Sequence, residues 1–329
     1  MALELFKGSS FKDAPDLPDP NIKSFSGVQG AVFQKSPLAA GGINGPDRGV
    51  KNYFFIYDRE HPRIDLLRKG SSRGQNYYGK LFLSITALQE IFIGSGEIEK
   101  NARQLYDAST YVLTGSGKQA WNIPGSSLKG CIYTHLAMFL QSRSMDFFSA
   151  KEGPAKVFFS DLPMALGTNA AIKEIPARFS PRAVTEDAIV KLYKREYQKD
   201  TQPQGSHQTE PGQERLQAIR VGSRFEGHLH FKQLDEYEIT MLVLALGSMP
   251  GNSFNFKIGG AKNRAMGLVR LQIDFEKSFY AHTLKDTAVK NVHPFAELKA
   301  GLEKTLAQLK QEYPALDLLL KKIQGEYGQ

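Results

Sequence analysis

The chain has 329 residues, 41% of them hydrophobic, which is enough for a buried core and for two domains or one domain with large decorations. Lys and Arg total 42 against 34 Asp and Glu, and the net charge of +8 is compatible with a polyanionic partner. No apolar run approaches the roughly 18 to 20 residues of a membrane span, and the N-terminus lacks a secretion signal, so we expect a cytoplasmic protein with no membrane partner. The single cysteine excludes an internal disulfide.

The first half of the chain begins with many turn signals and then becomes regular. Residues 1–76 are rich in Gly, Pro and Asp, with one strand-like run, NYFFIYD, and we assign them to an N-terminal extension. From residue 77 to 93 apolar and polar residues alternate, which predicts a strand with one face buried. The stretch WNIPGSSLKGCIYTHL then passes from a turn into a helix predicted from Ser126 to about Arg143.

The second half repeats this order. KVFFSDLPMA predicts a short strand ended by a proline, and residues 170–220 are polar and predicted to be irregular. SRFEGHLHFKQL alternates like a strand, EYEITMLVLALGSM is typical of a buried helix, and FNFKIGGAKNRAMGLVRLQIDF predicts a strand, a glycine loop and a strand. FAELKAGLEKTLAQLK predicts a C-terminal packing helix. Two strand-helix-strand units in succession predict an α+β sandwich of the ferredoxin type.

Acidic residues are unevenly distributed along the chain. Residues 108–145 and 239–273 contain no Asp or Glu, yet they include several Lys and Arg. An anion bound near either stretch would meet little repulsion. Core elements are also poor in acids, but the glycines and lysines of both stretches make a purely structural explanation the weaker one.

The two stretches carry motifs that resemble those of a known family. IPGSSLKG, residues 123–130, followed by a helix, and IGGAKNRAMGLVRLQ, residues 258–272, resemble two signatures of the RAMP superfamily, the repeat-associated proteins of CRISPR systems. The similarity is greatest to the backbone subunits of type III effector complexes. IGSG at residues 93–96, VFFSD at 157–161 and GSRFEGHLHF from residue 222 agree with it.

The resemblance implies a domain organisation and a set of partners. It implies a ferredoxin-like, RNA-recognition-motif-like RAMP domain at residues 77–275, with a thumb insertion at about 170–220, and leaves a C-terminal helical segment at 276–329. Subunits of this family stack along a CRISPR RNA, hold the guide by its backbone and help to position target RNA. The implied partners are therefore CRISPR RNA, target RNA and other subunits of the complex.

The chemistry of the first motif suits a phosphate. Unpaired N–H groups and the dipole at a helix N-terminus favour an anion, Ser126 and Ser127 can cap the helix or donate, and Lys129 adds a positive charge. Gly125 and Gly130 would let an RNA backbone approach closely. An ordinary capped helix is the structural alternative.

The second motif supplies donors of the same kind. Gly259 and Gly260 would present backbone N–H groups, while Lys262 and Arg264 would supply positive charge to a phosphate. Contacts of this kind do not depend on base sequence, as a protein that accepts any guide requires. By analogy with the family, Arg178, Phe179 and Arg182 would form a wedge or clamp at the thumb tip, although a solvated insertion explains these residues almost as well.

Cleavage of target RNA is an open question at this level. In the cleaving family members, a loop aspartate before the IPGSS helix promotes metal-dependent attack by a 2′-hydroxyl, with Mg²⁺ or Mn²⁺ as the cofactor. Asp107 lies at about the right distance, but YDASTYVL follows the family pattern only loosely. An exposed aspartate with no catalytic role is an equal alternative.

Two other functions remain open. RAMP proteins include guide-processing endoribonucleases, which share the late glycine loop and generally place a histidine or other general base beside the site; the histidines of this chain, notably His135 and His228, have no evident partner. His228 and His230 share one face of a strand, which could suit a metal ion. No nearby carboxylate or third histidine is evident in the sequence to complete such a site. A non-cleaving subunit that caps the filament through its N- and C-terminal segments is the third possibility.

Overall fold

The computed structural model describes most of the chain from residue 53 onward. The described residues are 53–69, 76–101, 104–113, 119–141, 155–167, 170–176, 188–196, 213–288 and 291–327. They belong to one compact unit that spans residues 49–329. Among them, no helix is long and apolar enough to cross a membrane.

Strands and helices are interleaved along the chain. The strands are β1 Tyr53–Tyr57, β2 Tyr77–Ala87, β3 Gly94–Asn101, β4 Gln104–Ser109, β5 Tyr111–Leu113, β6 Gln119–Ile123, β7 Val157–Phe159, β8 Leu162–Leu166, β9 Ala171–Pro176, β10 Ala188–Tyr193, β11 Gln213–Ala218, β12 Arg224–Leu234, β13 Phe256–Lys257, β14 Leu268–Ala281 and β15 His293–Pro294. The helices are α1 Leu66–Lys69, α2 Gly125–Phe139, α3 Glu236–Ala245, α4 Leu284–Ala288, α5 Lys299–Glu312 and α6 Pro314–Tyr327.

The largest sheet is antiparallel and contains the strands predicted from alternation. Its order is β13-β14-β2-β12-β8-β6-β5, with β7 paired to β12 and β15 paired to β14. Helix α2 follows β6 and precedes β7, and α3 follows β12 and precedes β13. This α+β architecture is compatible with the predicted ferredoxin-like order β-α-β-β-α-β.

The alternation of β2 and β12 places one face of the sheet against the helices. Leu81, Ile85, Phe225 and Leu229 are all 0% exposed in the main core. Helix α3 is apolar on nearly all sides because it lies within this core. The side chain of Asp235 accepts a hydrogen bond from the N–H of Glu238 at 2.8 Å, and this capping box starts the helix at the predicted place.

Helix α2 is shorter than predicted. It ends at Phe139 instead of Arg143, because the next residue, Leu140, is extended and forms a bridge with Ile64. The N–H of Ile64 donates to the carbonyl oxygen of Phe139 at 3.1 Å, and the N–H of Gln141 donates to that of Ile64 at 2.9 Å. A distant segment therefore competes for the backbone groups that would continue the helix.

The described residues of the polar region at 170–220 include strands, so for them the prediction of irregular structure is wrong. A second sheet has the order β3-β4-β11-β9, and β10 pairs with β1. Phe92, Ile175, Leu216 and Met266 belong to a small core against this second sheet. Because this core is small, the strands of the second sheet bury few apolar residues. Their sequences therefore lack the alternation of apolar and polar residues that would predict a strand.

The segment after α2, for which a single strand was predicted, forms two strands. Strand β7 pairs with β12, whereas β8 pairs with both β12 and β6. Pro163 does not end the strand but lies within β8, opposite Asn122 of β6. The division therefore depends on different pairing partners rather than on local sequence.

The C-terminal helices hold the β1–β10 pair against the rest of the unit. Helix α5 confirms the predicted packing helix, and α6 follows it directly. The hydroxyl of Tyr327 donates to the carbonyl oxygen of Tyr193 at 2.8 Å, and the N–H of Arg195 donates to Glu326 at 3.0 Å. Strand β14 continues to Ala281, past the boundary predicted at residue 275.

Candidate nucleic-acid interface

Both motif segments line one cleft of about 440 Å³. Helix α2 lies on one side, and the loop after β13 and strand β10 lie on the others. The described lining residues are Ile93, Gly94, Ser127, Gly130, Cys131, Thr134, His135, Lys191, Leu192, Tyr193, Lys257, Ile258, Gly259, Gly260, Lys262 and Tyr327. They include three lysines and no Asp or Glu, so the described wall is electropositive.

Helix α2 presents one face to the cleft. Ser127, Gly130, Cys131 and Thr134 line it and follow the spacing i, i+3, i+4, i+7. Ser126 is exposed and Lys129 is half-buried, and neither is among the lining residues. Of the predicted residues on this helix, Ser127 and Gly130 are therefore the ones that face the cleft.

Gly125 packs against the protein's own backbone. A methyl group there would meet the carbonyl oxygen of Phe159 at 2.5 Å and that of Ser160 at 2.8 Å. The N–H of Gly125 donates to Oδ1 of Asp161 at 2.8 Å. A side-chain carboxylate already occupies the anion position at this N–H, so the close packing around Gly125 is within the protein.

The glycine loop is fixed by its contact with the segment that follows β2. Gly259 has a φ of 81°, and a methyl group there would collide with the carbonyl oxygen of Phe92. The N–H of Gly260 donates to the same oxygen at 2.7 Å. Both glycines line the cleft, but the Gly260 donor is used inside the protein.

Two lysines of the cleft have depressed pKa values. Burial lowers the pKa of Lys257 to about 8, with opposing influences from Glu326 and Lys262. Its Nζ donates to the carbonyl oxygen of Lys262 at 2.9 Å. Burial also lowers the pKa of Lys191, whose Nζ is buried without a hydrogen-bond acceptor and lies 4.0 Å from the ring centroid of Tyr53. A bound anion would stabilise the charged form of both.

Arg264 is placed differently from Lys262. Arg264 is only 7% exposed and is not among the described residues that line the cleft, whereas Lys262 lines the cleft. Ala261 and Ala265 on either side of the short helix Lys262–Arg264 both have positive φ, which turns the chain sharply. Lys262 is therefore the cation of this motif that the fold directs to the cleft.

His135 and Cys131 are structural in this arrangement. Nδ1 of His135 lies 2.7 Å from the carbonyl oxygen of Ala245, and its ring packs edge-on against Phe256. Burial lowers the pKa of His135 to about 4 and raises that of Cys131 to about 11. A neutral imidazole bound to a backbone carbonyl is poorly suited to act as a general base on RNA.

Asp107 lies in a strand, although a loop was predicted for it. It is half-buried in β4, paired with Ile98 of β3 and with Leu216 of β11. It is not among the described residues that line the cleft. Its nearest link to the cleft is through Ser109 of the same strand, which pairs with the lining residue Gly94.

The described side chains do not form a metal site. Across the described ranges, no three His, Cys, Asp or Glu side chains are grouped so that they could hold a metal ion. A metal ion held by Asp107 would take its further oxygen ligands from RNA phosphates and water. Arg178, Phe179 and Arg182, predicted for the thumb tip, lie outside the described residues.

The sequence-based prediction did not include Lys191, Lys257, Tyr193 or Tyr327. Lys257 immediately precedes the IGG motif, so its position beside the loop was accessible from sequence. Lys191 lies in AIVKLY, a short run within a region predicted to be irregular, and its place at the cleft depends on the pairing of β10 with β1. That pairing has no local signal.

Comparisons with known proteins give little beyond the structure itself. No protein-family model and no curated protein matches the chain. Among solved structures, it is similar to a chain of the "Type III-B Cmr-beta bound to cognate target RNA", with 14% sequence identity and a TM-score of 0.39. The alignment covers 63% of this chain and 62% of that chain.

Proposed function

We propose that this protein is a guide-RNA-binding backbone subunit of a type III CRISPR effector complex. It holds the guide through its phosphates in the cleft between α2, the glycine loop and β10. Other subunits of the complex and target RNA are its further partners, and the complex acts in the cytoplasm. The ammonium and hydroxyl groups of the site carry no base preference, which suits a protein that accepts any guide.

The cleft is the observation that carries this proposal. Segments more than a hundred residues apart, which resemble two signatures of one family, meet there and supply Ser127, Gly130 and Lys262. Lys191 and Lys257 add two ammonium groups, and the described lining contains no carboxylate. Ammonium groups in a partly dehydrated cleft attract phosphates more strongly than they would on an open surface.

The endoribonuclease alternative receives no support from His135. The imidazole is buried, and its Nδ1 is engaged by the carbonyl oxygen of Ala245. We therefore assign the cleft to binding. Target cleavage through Asp107 is kept as a separate hypothesis, because the binding function does not depend on it.

The test of this proposal is the salt dependence of RNA binding. Single-stranded RNA of mixed sequence is titrated with the protein over a range of salt concentrations, and affinity is measured by fluorescence anisotropy. We expect Lys262→Ala to weaken binding and to reduce the salt slope by about 0.7, the value for one phosphate contact on a single strand. A second RNA of scrambled sequence should give the same result.

Lys304→Ala provides the matched control. Lys304 is an exposed lysine of α5 and does not line the cleft, so its removal changes the net charge equally. We expect this variant to bind RNA nearly as wild type does. If Lys262→Ala and Lys304→Ala had the same affinity and salt slope, the cleft would not be the RNA-binding site.

A further inference from the structure

The face of the large sheet that points away from the helices carries four aromatic rings in adjacent positions. We call Phe82, Phe158, His228 and His230 the aromatic face. Phe82 lies opposite His228 across β2 and β12, and His230 lies opposite Phe158 across β12 and β7. Residues paired in this way share one side of a sheet, so three strands contribute to one surface.

The rings form a nearly continuous group. The centroids of Phe82 and His228 are 6.3 Å apart, and those of His228 and His230 are 4.8 Å apart with the rings almost perpendicular. Phe158 is 47% exposed and His230 is also exposed. The rings of Phe158 and His230 are therefore accessible to solvent. A group of exposed rings is more informative than one exposed apolar residue.

Two lysines accompany these rings. Nζ of Lys80 lies 4.7 Å from the centroid of Phe82, and Nζ of Lys232 lies 5.0 Å from that of Phe158. Asp274, the carboxylate opposite Phe82 on β14, is paired with Lys277 at 3.3 Å. The charge available to a ligand beside the rings is therefore positive.

The histidines contribute as neutral rings. Partial burial, followed by the charge of Lys80, lowers the pKa of both His228 and His230 from its ordinary value. Neutral imidazoles stack on flat groups without adding repulsion against Lys80. They do not form a metal site with neighbouring side chains, since the described residues hold no group of three metal-binding side chains.

We propose that the aromatic face binds unpaired bases of a single-stranded nucleic acid. The bases stack on Phe82, Phe158 and the two histidines, while Lys80 and Lys232 contact the adjoining phosphates. Stacking of this kind tolerates any base, because every base has a π-face. This surface is separate from the cleft and takes the bases, whereas the cleft takes the backbone.

The experiment compares two probes that differ only in their bases. One is a short oligouridylate RNA, and the other is an abasic RNA of the same length. We expect Phe158→Ala to weaken binding of oligouridylate on the order of tenfold and to leave binding of the abasic RNA unchanged. Leu318→Ala, which truncates an exposed apolar residue of α6 (68% exposed), should change neither affinity.

The outcomes separate this proposal from the proposed function. Lys262→Ala should weaken both probes, because it acts on the backbone. Loss with Lys262→Ala and no loss with Phe158→Ala would overturn the aromatic face alone, and the reverse pattern would overturn the cleft alone. Failure of wild-type protein to bind either probe would overturn both.

A structural role for the rings gives a different signature. If the rings serve only to stabilise the sheet through cross-strand contacts, Phe158→Ala lowers the midpoint of thermal unfolding while oligouridylate affinity stays at the wild-type value. That result would overturn the proposal. A 2-aminopurine placed in the RNA gives a further check, since we expect wild-type protein to quench its fluorescence and Phe158→Ala to quench it less.

Discussion

At the scale of single residues, the interior of the cleft shows how burial sets chemistry. His135 is 3% exposed, bound to the carbonyl oxygen of Ala245, and near Cys131 and Lys262. Its pKa falls to about 4 because burial disfavours the charged ring. In the sequence His135 has no evident partner, and its burial and its contact with Ala245 appear only in the structure.

This burial predicts a pH-dependent stability. The unfolded chain binds a proton on His135 near pH 6.5, whereas the folded chain binds it only near pH 4, so stability is present above pH 6.5 and is lost as the pH falls through this window. The pKa difference corresponds to about 3 kcal/mol at its full extent. Denaturant unfolding of wild type and His135→Asn at pH 7 and at pH 4.5 measures it.

The expected result is a steeper loss of stability in wild type than in His135→Asn. The variant is less stable at pH 7, because the packing of the ring is lost, but the two proteins converge at low pH. His61, whose pKa is also lowered by burial, is present in both and cancels in the comparison. Parallel pH profiles for the two proteins would contradict the prediction.

At the scale of elements, helix α2 carries a glycine that the fold does not require. Gly130 lies inside the helix and is exposed, and a methyl group there would meet nothing within 4 Å. Gly259 in the neighbouring loop is the opposite case, because its positive φ and its contact with Phe92 exclude any larger residue. Glycine within a helix costs about 1 kcal/mol relative to alanine.

Gly130→Ala is therefore expected to stabilise the protein and to weaken RNA binding. Alanine favours the helix over glycine, so the free energy of unfolding rises by about 1 kcal/mol. The added methyl group enters the cleft where the RNA backbone is proposed to lie. Thermal unfolding and anisotropy on the same sample measure the two effects. Gly325→Ala, at an open and exposed position of α6, is the control and should leave RNA affinity unchanged. Equal affinity of Gly130→Ala and wild type would argue against close contact at this position.

At the scale of the whole molecule, the cleft and Asp107 are positioned mainly by different elements. The cleft is framed mostly by α2, the loop between β13 and β14, and the β1–β10 pair. Of the β3-β4-β11-β9 sheet that holds Asp107, Gly94 of β3 is the described residue that lines the cleft. Asp107 lies outside the described lining, so RNA held in the cleft must extend beyond it to reach this carboxylate.

The cleavage hypothesis predicts a result for Asp107→Ala in a complex assembled with its guide. The guide stays bound, because Asp107 does not line the cleft, and the matched target RNA is therefore still bound through the guide. Cleavage is lost at the positions that this subunit serves. Gel analysis of labelled target measures both. Glu174→Gln removes a carboxylate from the same sheet and should cleave normally. Unchanged cleavage at every site in Asp107→Ala would remove the catalytic role.

The sequence by itself determined those elements whose signal is local. Alternation defined β2 and β12, a continuous apolar run defined α3, and glycines marked the loop near Gly259. It also supplied the motif resemblance on which the proposed function rests. These signals need no knowledge of distant residues, because periodicity acts within a few positions along the chain.

Only the tertiary structure decided which motif residues face the cleft. Helical geometry separates Ser127 and Gly130 from Ser126 and Lys129, and the packing of the loop buries Arg264 while Lys262 stays at the cleft. The pairing of β10 with β1 brings Lys191 there from a polar region predicted to be irregular. These placements depend on backbone pairing and burial between distant segments, and such contacts leave no periodic trace in the sequence.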